Sequence, residues 1–300
     1  MLRSPNSESG SKKIRAGMVR NLAVLGSPIE HSKSPLIHGA AYRVLGLEWH
    51  YERIEVRKGA LKPFIEPLNE NWLGFSVTMP LKEEAFRFAS ELDEASKLTG
   101  AVNTLVRTPN GWSGYNTDVF GITRALESAQ LRGIKEVLVI GSGATAYSAI
   151  VALRSLAPEA KILVHARNET TRSALIDFAQ GIGFKAKIAK KLETAAKKAD
   201  LTISTLPAHS LDGLASELLQ MRSWQPKGAL LDVAYQPWPS EISKLWFRNH
   251  NNVVSGIEML FWQAVAQVRI FANANVDEPL QQEAAVLEAM RHALETSAHS

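Results

Sequence analysis

Short apolar runs alternate with amphipathic stretches along almost the whole chain, and few folds accept that pattern. NLAVLG (residues 21–26), WHYERIEV (49–56) and GFSVTM (74–79) each have the length of one buried strand. Helices are predicted over 35–45, from near Pro80, and over about 118–129. AVNTLVRT (101–108) and GWSGYN (111–116) read instead as a hairpin turning through residues 109–111. The alternation resumes with EVLVIGSGATAYSAIVAL (136–153), KILVHAR (161–167), ADLTISTLPA (199–208), ALLDVAY (229–235) and VVSG (253–256). Residues 257–272 form one further helix. A last one is expected directly after Asp277, Glu278 and Pro279, with Leu280, Ala284, Leu287 and Leu294 as its apolar stripe.

Alternation of this kind places helices on the faces of largely parallel sheets, the α/β class. The order predicts two domains with a cleft between them: an α/β substrate-binding catalytic domain over 21–121 and a Rossmann-type nucleotide-binding domain over 122–256. The helices of 257–300 are expected to pack back on the first. Three hundred residues, 45% hydrophobic and 21% charged, suffice for two such cores. The chain has no cysteine, which excludes disulfides and thiolate metal sites. No apolar run approaches the roughly 20 residues of a membrane span, and the N-terminus lacks the apolar core of a signal peptide. The cytoplasm is the expected compartment.

A net charge of +4 invites a nucleic-acid reading, and the positions of the charges argue against it. Residues 1–20 hold Arg3, Lys12, Lys13, Arg15 and Arg20 against Glu8 alone. Taken from totals of 34 basic and 30 acidic residues, that leaves 29 of each sign for the remainder. The body carries no net charge to draw it onto phosphate backbones. Its leader, residues 1–20, is too polar to bury and is expected to be disordered.

Gly141-Ser142-Gly143-Ala144-Thr145-Ala146 closes a strand and opens a helix. Glycines there permit a tight turn and let backbone N–H groups reach a pyrophosphate, whose charge the helix end favours. The bland alternative is a glycine turn that binds nothing. The next strand ends in Ala166-Arg167-Asn168, where an NAD enzyme typically carries a carboxylate for the ribose. Arg167 suits a 2′-phosphate, with Arg172 as a second cation and Glu169 as a competitor; a plain surface arginine is the other reading. In His31-Ser32-Lys33-Ser34-Pro35, Ser34 reads as a helix N-cap with Pro35 in the first turn. Alternatively, the hydroxyls of Ser32 and Ser34 receive a carboxylate beside the positive helix end. His31 and His38 have no further ligand in a fitting pattern, so no metal is expected. Lys82 stands in the first turn of a helix, where its charge opposes the dipole, and its ammonium suits acid–base work. Asp118 reads equally as a helix cap or as a partner in such chemistry.

SPIEHSKSP (27–35), SVTMPLKEEAF (76–86), TGAVNT (99–104), GYNTDVFG (114–121), GSGATA (141–146) and SGIEMLFWQA (255–264) together resemble the shikimate dehydrogenase family from Leu22 to the C-terminus. The resemblance implies NADP(H)-dependent interconversion of 3-dehydroshikimate and shikimate, in the pathway to chorismate and the aromatic amino acids. It implies that Ser32 and Ser34 bind the substrate carboxylate, that Thr78, Asn103 and Gln263 bind ring hydroxyls, and that Tyr235 is a further contact. Lys82 and Asp118 are implied as the catalytic dyad. Gly141, Ser142, Gly143, Ala144 and Thr145 are implied to cradle the pyrophosphate and Arg167 to hold the adenosine end. Val233, Gly256 and Met259 are implied around the nicotinamide.

Three departures stand out. Ser76 replaces the family's usual asparagine. Ser142, Ala144 and Thr145 alter the usual G-A-G-G-A turn, and Ala166-Arg167-Asn168 alters the usual Asn-Arg-Thr. Two rivals remain: a quinate/shikimate dehydrogenase using NAD, and a non-catalytic shikimate-binding sensor, which need not keep Lys82 and Asp118. The partners expected are a small-molecule substrate and no nucleic acid or membrane, in a monomer or homodimer.

Overall fold

The structure, a computed structural model, describes residues 19–221 and 223–296. The leader expected at residues 1–20 falls almost wholly outside them. The described residues hold two six-stranded sheets. The first contains β1 (Arg20–Gly26), β2 (Trp49–Glu55), β3 (Trp72–Val77), β4 (Glu91–Leu92), β5 (Thr104–Thr108) and β6 (Gly111–Tyr115), in spatial order β2-β1-β3-β5-β6-β4. Strands β1, β2 and β3 run parallel, and β5 and β6 form the expected hairpin, with Thr108 opposite Gly111. Around this sheet lie α1 (Ser34–Val44), α2 (Leu61–Ile65), α3 (Lys82–Phe88) and α4 (Glu94–Thr99).

Helix α5 (Asp118–Ser128) leads to the second sheet of β7 (Glu136–Ile140), β8 (Lys161–His165), β9 (Lys185–Ile188), β10 (Leu201–Ser204), β11 (Ala229–Asp232) and β12 (Val253–Ser255). All are parallel, in the order β12-β11-β10-β7-β8-β9. Numbered within this sheet the order is 6-5-4-1-2-3, the doubly wound dinucleotide-binding topology. Its strands are apolar without alternation, Val137 to Ile140 all being buried, because helices cover both faces. Those helices are α6 (Ala144–Leu156), α7 (Glu169–Gly181), α8 (Leu192–Ala196), α9 (Asp212–Gln220) and α10 (Glu241–Arg248).

Helix α11 (Gly256–Asn273) serves both sheets. Met259 packs into the core beside the second sheet, whereas Phe261, Val265, Val268 and Phe271 fill the core of the first. It lies against α5 so closely that a Cβ on Gly121 would sit 2.7 Å from the Met259 carbonyl oxygen and 2.9 Å from Gln263 Cβ. The final helix, α12 (Glu283–Thr296), packs on α1.

Helix α12 begins later than the sequence predicts. Arg269, only 8% exposed, draws Glu283 into a two-pronged pair at 2.6 and 3.1 Å, and Glu283 Oε2 also accepts the Leu280 N–H at 2.7 Å. These bonds hold residues 277–282 outside the helix, with Gln282 at φ +54°. The buried stripe is accordingly Val286, Met290 and Leu294, while Ala284 is exposed.

Candidate active site

Lys82 is the first residue of α3 and Asp118 the first of α5. The helix end favours the carboxylate and opposes the ammonium. Lys82 Nζ nevertheless donates to Asp118 Oδ2, and the two side chains are 15% and 6% exposed. Asn103 Nδ2 donates to Asp118 Oδ1 at 2.8 Å. The orientation of that amide is fixed from behind, because Asn103 Oδ1 accepts the Thr117 N–H at 2.9 Å and Thr104 Oγ1 at 2.8 Å. Thr117, not Asp118, occupies the cap position of α5, so the Asp118 carboxylate is free of capping and committed to Lys82 and Asn103.

The pair faces a cavity of about 340 Å³. Ser32 and Ser34 line it, their hydroxyl oxygens 3.2 Å apart, and the Ser34 N–H donates to Ser32 Oγ at 3.3 Å. Arg53 Nε donates to the Ser32 carbonyl at 2.7 Å and brings a positive charge to this end. Ser34 is not the N-cap the sequence predicts. Lys33 holds the cap position without a side-chain bond, and Ser34 is already helical, its hydroxyl turned to Ser32. Thr78, Asn103, Tyr235 and Gln263 also present polar atoms to it. Burial pushes the Tyr235 phenol above its ordinary pKa, an effect the Arg53 charge only partly offsets, so it stays a neutral hydroxyl.

A second cavity, of about 700 Å³, opens on the glycine turn. Gly141 has φ +109°, a conformation that disfavours any other residue. Gly143 stands at the N-cap of α6 with open space where its Cβ would be, and no side chain caps the helix. Ser142 Oγ lies 2.8 Å from Thr171 Oγ1 and ties the turn to α7. Ala144 and Thr145 also line this space. His31, Thr78, Lys82, Thr145, Val233 and Tyr235 line both cavities, so the two are one cleft with Lys82 at the junction. Gly256 and Met259 line the smaller cavity beside Val233.

Arg167 stands apart from both cavities. It is exposed, one residue before the Asn168 cap of α7, and among the described residues no hydrogen bond or ion pair engages its guanidinium. Arg172, the second cation expected there, is engaged locally: Nη1 donates to the Ala166 carbonyl at 2.9 Å, and Nη2 lies 3.5 Å from Glu169. That pairing turns the competing Glu169 carboxylate toward Arg172.

A family model described as the shikimate dehydrogenase substrate binding domain matches residues 24–105. The shikimate dehydrogenase (NADP(+)) of Methanothermobacter thermautotrophicus is 30% identical over 268 residues, 88% of this chain and 94% of that protein. The chain belongs to the shikimate dehydrogenase family. The crystal structure of Mycobacterium tuberculosis shikimate dehydrogenase superposes with a TM-score of 0.79 at 38% identity, covering 93% of this chain and 99% of that one. The Thermus thermophilus shikimate dehydrogenase, solved in complex with NADP(H) and shikimate, gives 0.74 at 28% identity, covering 91% and 99%.

In this member of the shikimate dehydrogenase family, sequence reasoning passes over Tyr51 and Gln267 beneath the smaller cavity, and meets Ser76 only as a departure and His38 only as a histidine without co-ligands. Ser76 and Gln267 line that cavity, and Tyr51 and His38 lie behind them, all buried. His38 stacks on Tyr51 with ring centroids 4.1 Å apart, and burial, only partly countered by Gln267, lowers its pKa to about 3. It is a packed, neutral ring. A signal was available: Gln263 and Gln267 sit one turn apart on a helix whose other buried positions are mostly apolar. Among the described residues no metal-ligating cluster gathers, and no helix is long and apolar enough to cross a membrane.

Proposed function

We propose that this chain catalyses the reversible reduction of 3-dehydroshikimate to shikimate with NADPH, in the pathway to chorismate, as a cytoplasmic monomer or homodimer. The Lys82–Asp118 pair carries the reading, because it stands where a substrate-sized polar cavity meets a nucleotide-sized one. The glycine turn fits the cofactor: Gly141 takes the backbone conformation, Gly143 leaves the space, and the uncapped end of α6 offers N–H groups to a pyrophosphate. When bound, NADPH supplies hydride to the ring carbon.

The chain's own residues do the rest. Lys82 Nζ delivers a proton to the ketone oxygen as negative charge develops there, and takes it back in the oxidation. Asp118 aims that ammonium, and Asn103 keeps Asp118 in place. Ser32 and Ser34 receive the carboxylate in the field of Arg53, and Thr78, Asn103, Tyr235 and Gln263 hold the ring hydroxyls. Gly141, Ser142, Gly143, Ala144 and Thr145 surround the pyrophosphate, and Val233, Gly256 and Met259 wall the nicotinamide. Arg167 takes the 2′-phosphate, a role its unengaged guanidinium leaves open. In this reading residues 21–121 bind substrate, 122–256 bind nucleotide, and 257–300 brace the substrate half. Oxidation of shikimate and quinate, each with NADP and NAD, tests the proposal. Shikimate with NADP should be turned over most efficiently; preference for quinate with NAD, or no turnover at all, overturns it.

A further inference from the structure

A buried hydrogen-bond chain runs beneath the substrate cavity, and one backbone carbonyl fixes its direction. Gln267 is 1% exposed, with Nε2 3.1 Å from the Asn103 carbonyl oxygen and 3.0 Å from Thr104 Oγ1. A carbonyl only accepts, so the amide nitrogen must face it. Gln267 Oε1 therefore faces Ser76 Oγ at 2.8 Å and His38 Nε2 at 3.2 Å. That oxygen also only accepts, so Ser76 commits its single hydrogen there and His38 carries its proton on Nε2. Ser76 Oγ must then accept from the Tyr51 hydroxyl at 2.6 Å. Tyr51 has only lone pairs left for the Ser34 hydroxyl that faces it, and Ser34 accepts from Ser32 at 3.2 Å. A carboxylate draws both serine hydrogens to itself by rotation of the hydroxyls, and Tyr51 has no hydrogen to compete for it. At the far end His38 Nδ1 is left to accept from Tyr42 at 3.0 Å.

We infer that Gln267 is a positioning residue for the substrate half of the site: it sets the hydrogen direction from Ser34 through Tyr51 to Ser76, and it clamps the peptide of Asn103. The inference rests on the reading of that cavity as the shikimate site. Both arms end on substrate-side groups, one on the serine pair and the other on the residue whose amide holds Asp118. Neither arm reaches the glycine turn. Ser76 and Gln267 act as a matched pair. A serine brings one hydrogen to the single acceptor that Gln267 presents, whereas the family's usual asparagine would bring two donors and an acceptor of its own.

Gln267→Met keeps the length of the side chain and removes both polar ends. Assayed well below its melting temperature, it should raise the KM for shikimate by about ten-fold, because buried partners lose their bonds, and lower kcat through Asn103. The KM for NADP should stay within about two-fold, since neither arm reaches the nucleotide cavity. Ser76→Ala cuts only the arm toward Ser34. It should raise the shikimate KM with kcat nearly unchanged, and add little when combined with Gln267→Met. A lower Tm with an unchanged shikimate KM in both variants overturns the inference, because packing alone would do that. The tautomer of His38 tests the direction of the chain in the wild-type protein, whatever substrate it prefers. Ring-nitrogen chemical shifts should report neutral Nε2–H; an Nδ1–H or charged ring overturns the inference. A wild type inactive on shikimate would refute the functional reading alone and leave the tautomer result to decide the chain.

Discussion

Lys82→Met removes one ammonium and keeps most of the stem, so its effects divide between chemistry and stability. Loss of a general acid–base group costs about 10²- to 10⁴-fold in rate, or roughly 2.7–5.5 kcal/mol of barrier. The structural cost falls on Asp118, whose side chain is 6% exposed and would lose its cation. Breaking a buried pair from one side costs about 3–5 kcal/mol. Here the Asn103 bond at 2.8 Å survives. The α5 terminus contributes about 0.3–1 kcal/mol to holding the carboxylate. A net loss of roughly 2–4 kcal/mol is expected, enough to lower Tm by several degrees. Lys82→Met combined with Asp118→Asn should regain much of that stability, because no buried charge is left unpaired, and should regain no turnover. The assays are thermal melts, steady-state NADP-linked oxidation of shikimate, and calorimetric shikimate binding, which should persist. Turnover within a few-fold of wild type in the single variant would refute Lys82 as the proton donor.

Arg167→Ala should lower catalytic efficiency with NADP by about one to two decades, the worth of a charge-assisted phosphate contact, and leave NAD nearly unchanged. High salt should erode the preference in the wild type, and equal losses with both cofactors would place the guanidinium in solvent. Gly121→Ala should cost about 1–3 kcal/mol, read from the urea midpoint, because its Cβ drives α5 off the α11 backbone. An unmoved midpoint would show that the helices part freely. Burial pushes the Glu283 carboxyl up, but the hydrogen bonds and charge of Arg269, with the Leu280 N–H, outweigh it and hold the pKa below its ordinary 4.5. Its contribution is therefore complete above that value and lost as pH falls through the depressed one. Glu283→Gln should flatten the acid limb of the stability curve, and a limb as steep as the wild type's counts against the pairing.

The strands and most helices were legible because burial leaves its mark on the sequence, an unbroken apolar run where both faces are covered and a helical period where one stripe is. Residues 137–140 show it in β7, and residues 256–273 in α11. The boundaries that failed were set by distant partners. Glu283 starts α12 because Arg269, fourteen positions earlier, reaches it, and nothing near Asp277 encodes that. Ser34 looked like a cap because its neighbours fit one; its hydroxyl is engaged two residues back instead. In the site, Lys82 carried a local oddity, a cation at a positive helix end, that pointed to some partner without naming it. Asp118 became that partner only when β3, β5 and β6 brought α3 and α5 together. Gln267 was harder still. Its partners come from α1, β3 and β5, and no spacing along one element relates them.

The wall common to the two cavities makes their occupants thermodynamically inseparable. Thr78, Lys82, Thr145, Val233 and Tyr235 each present atoms to both spaces, so a ligand in one alters the surface offered to the other. By linkage, the factor by which nucleotide changes affinity for substrate must equal the factor by which substrate changes affinity for nucleotide. A substitution at Val233 or Tyr235 then registers in both dissociation constants at once. A change made here for the sake of one ligand is therefore felt by the other, whereas Arg167 lies outside the common wall.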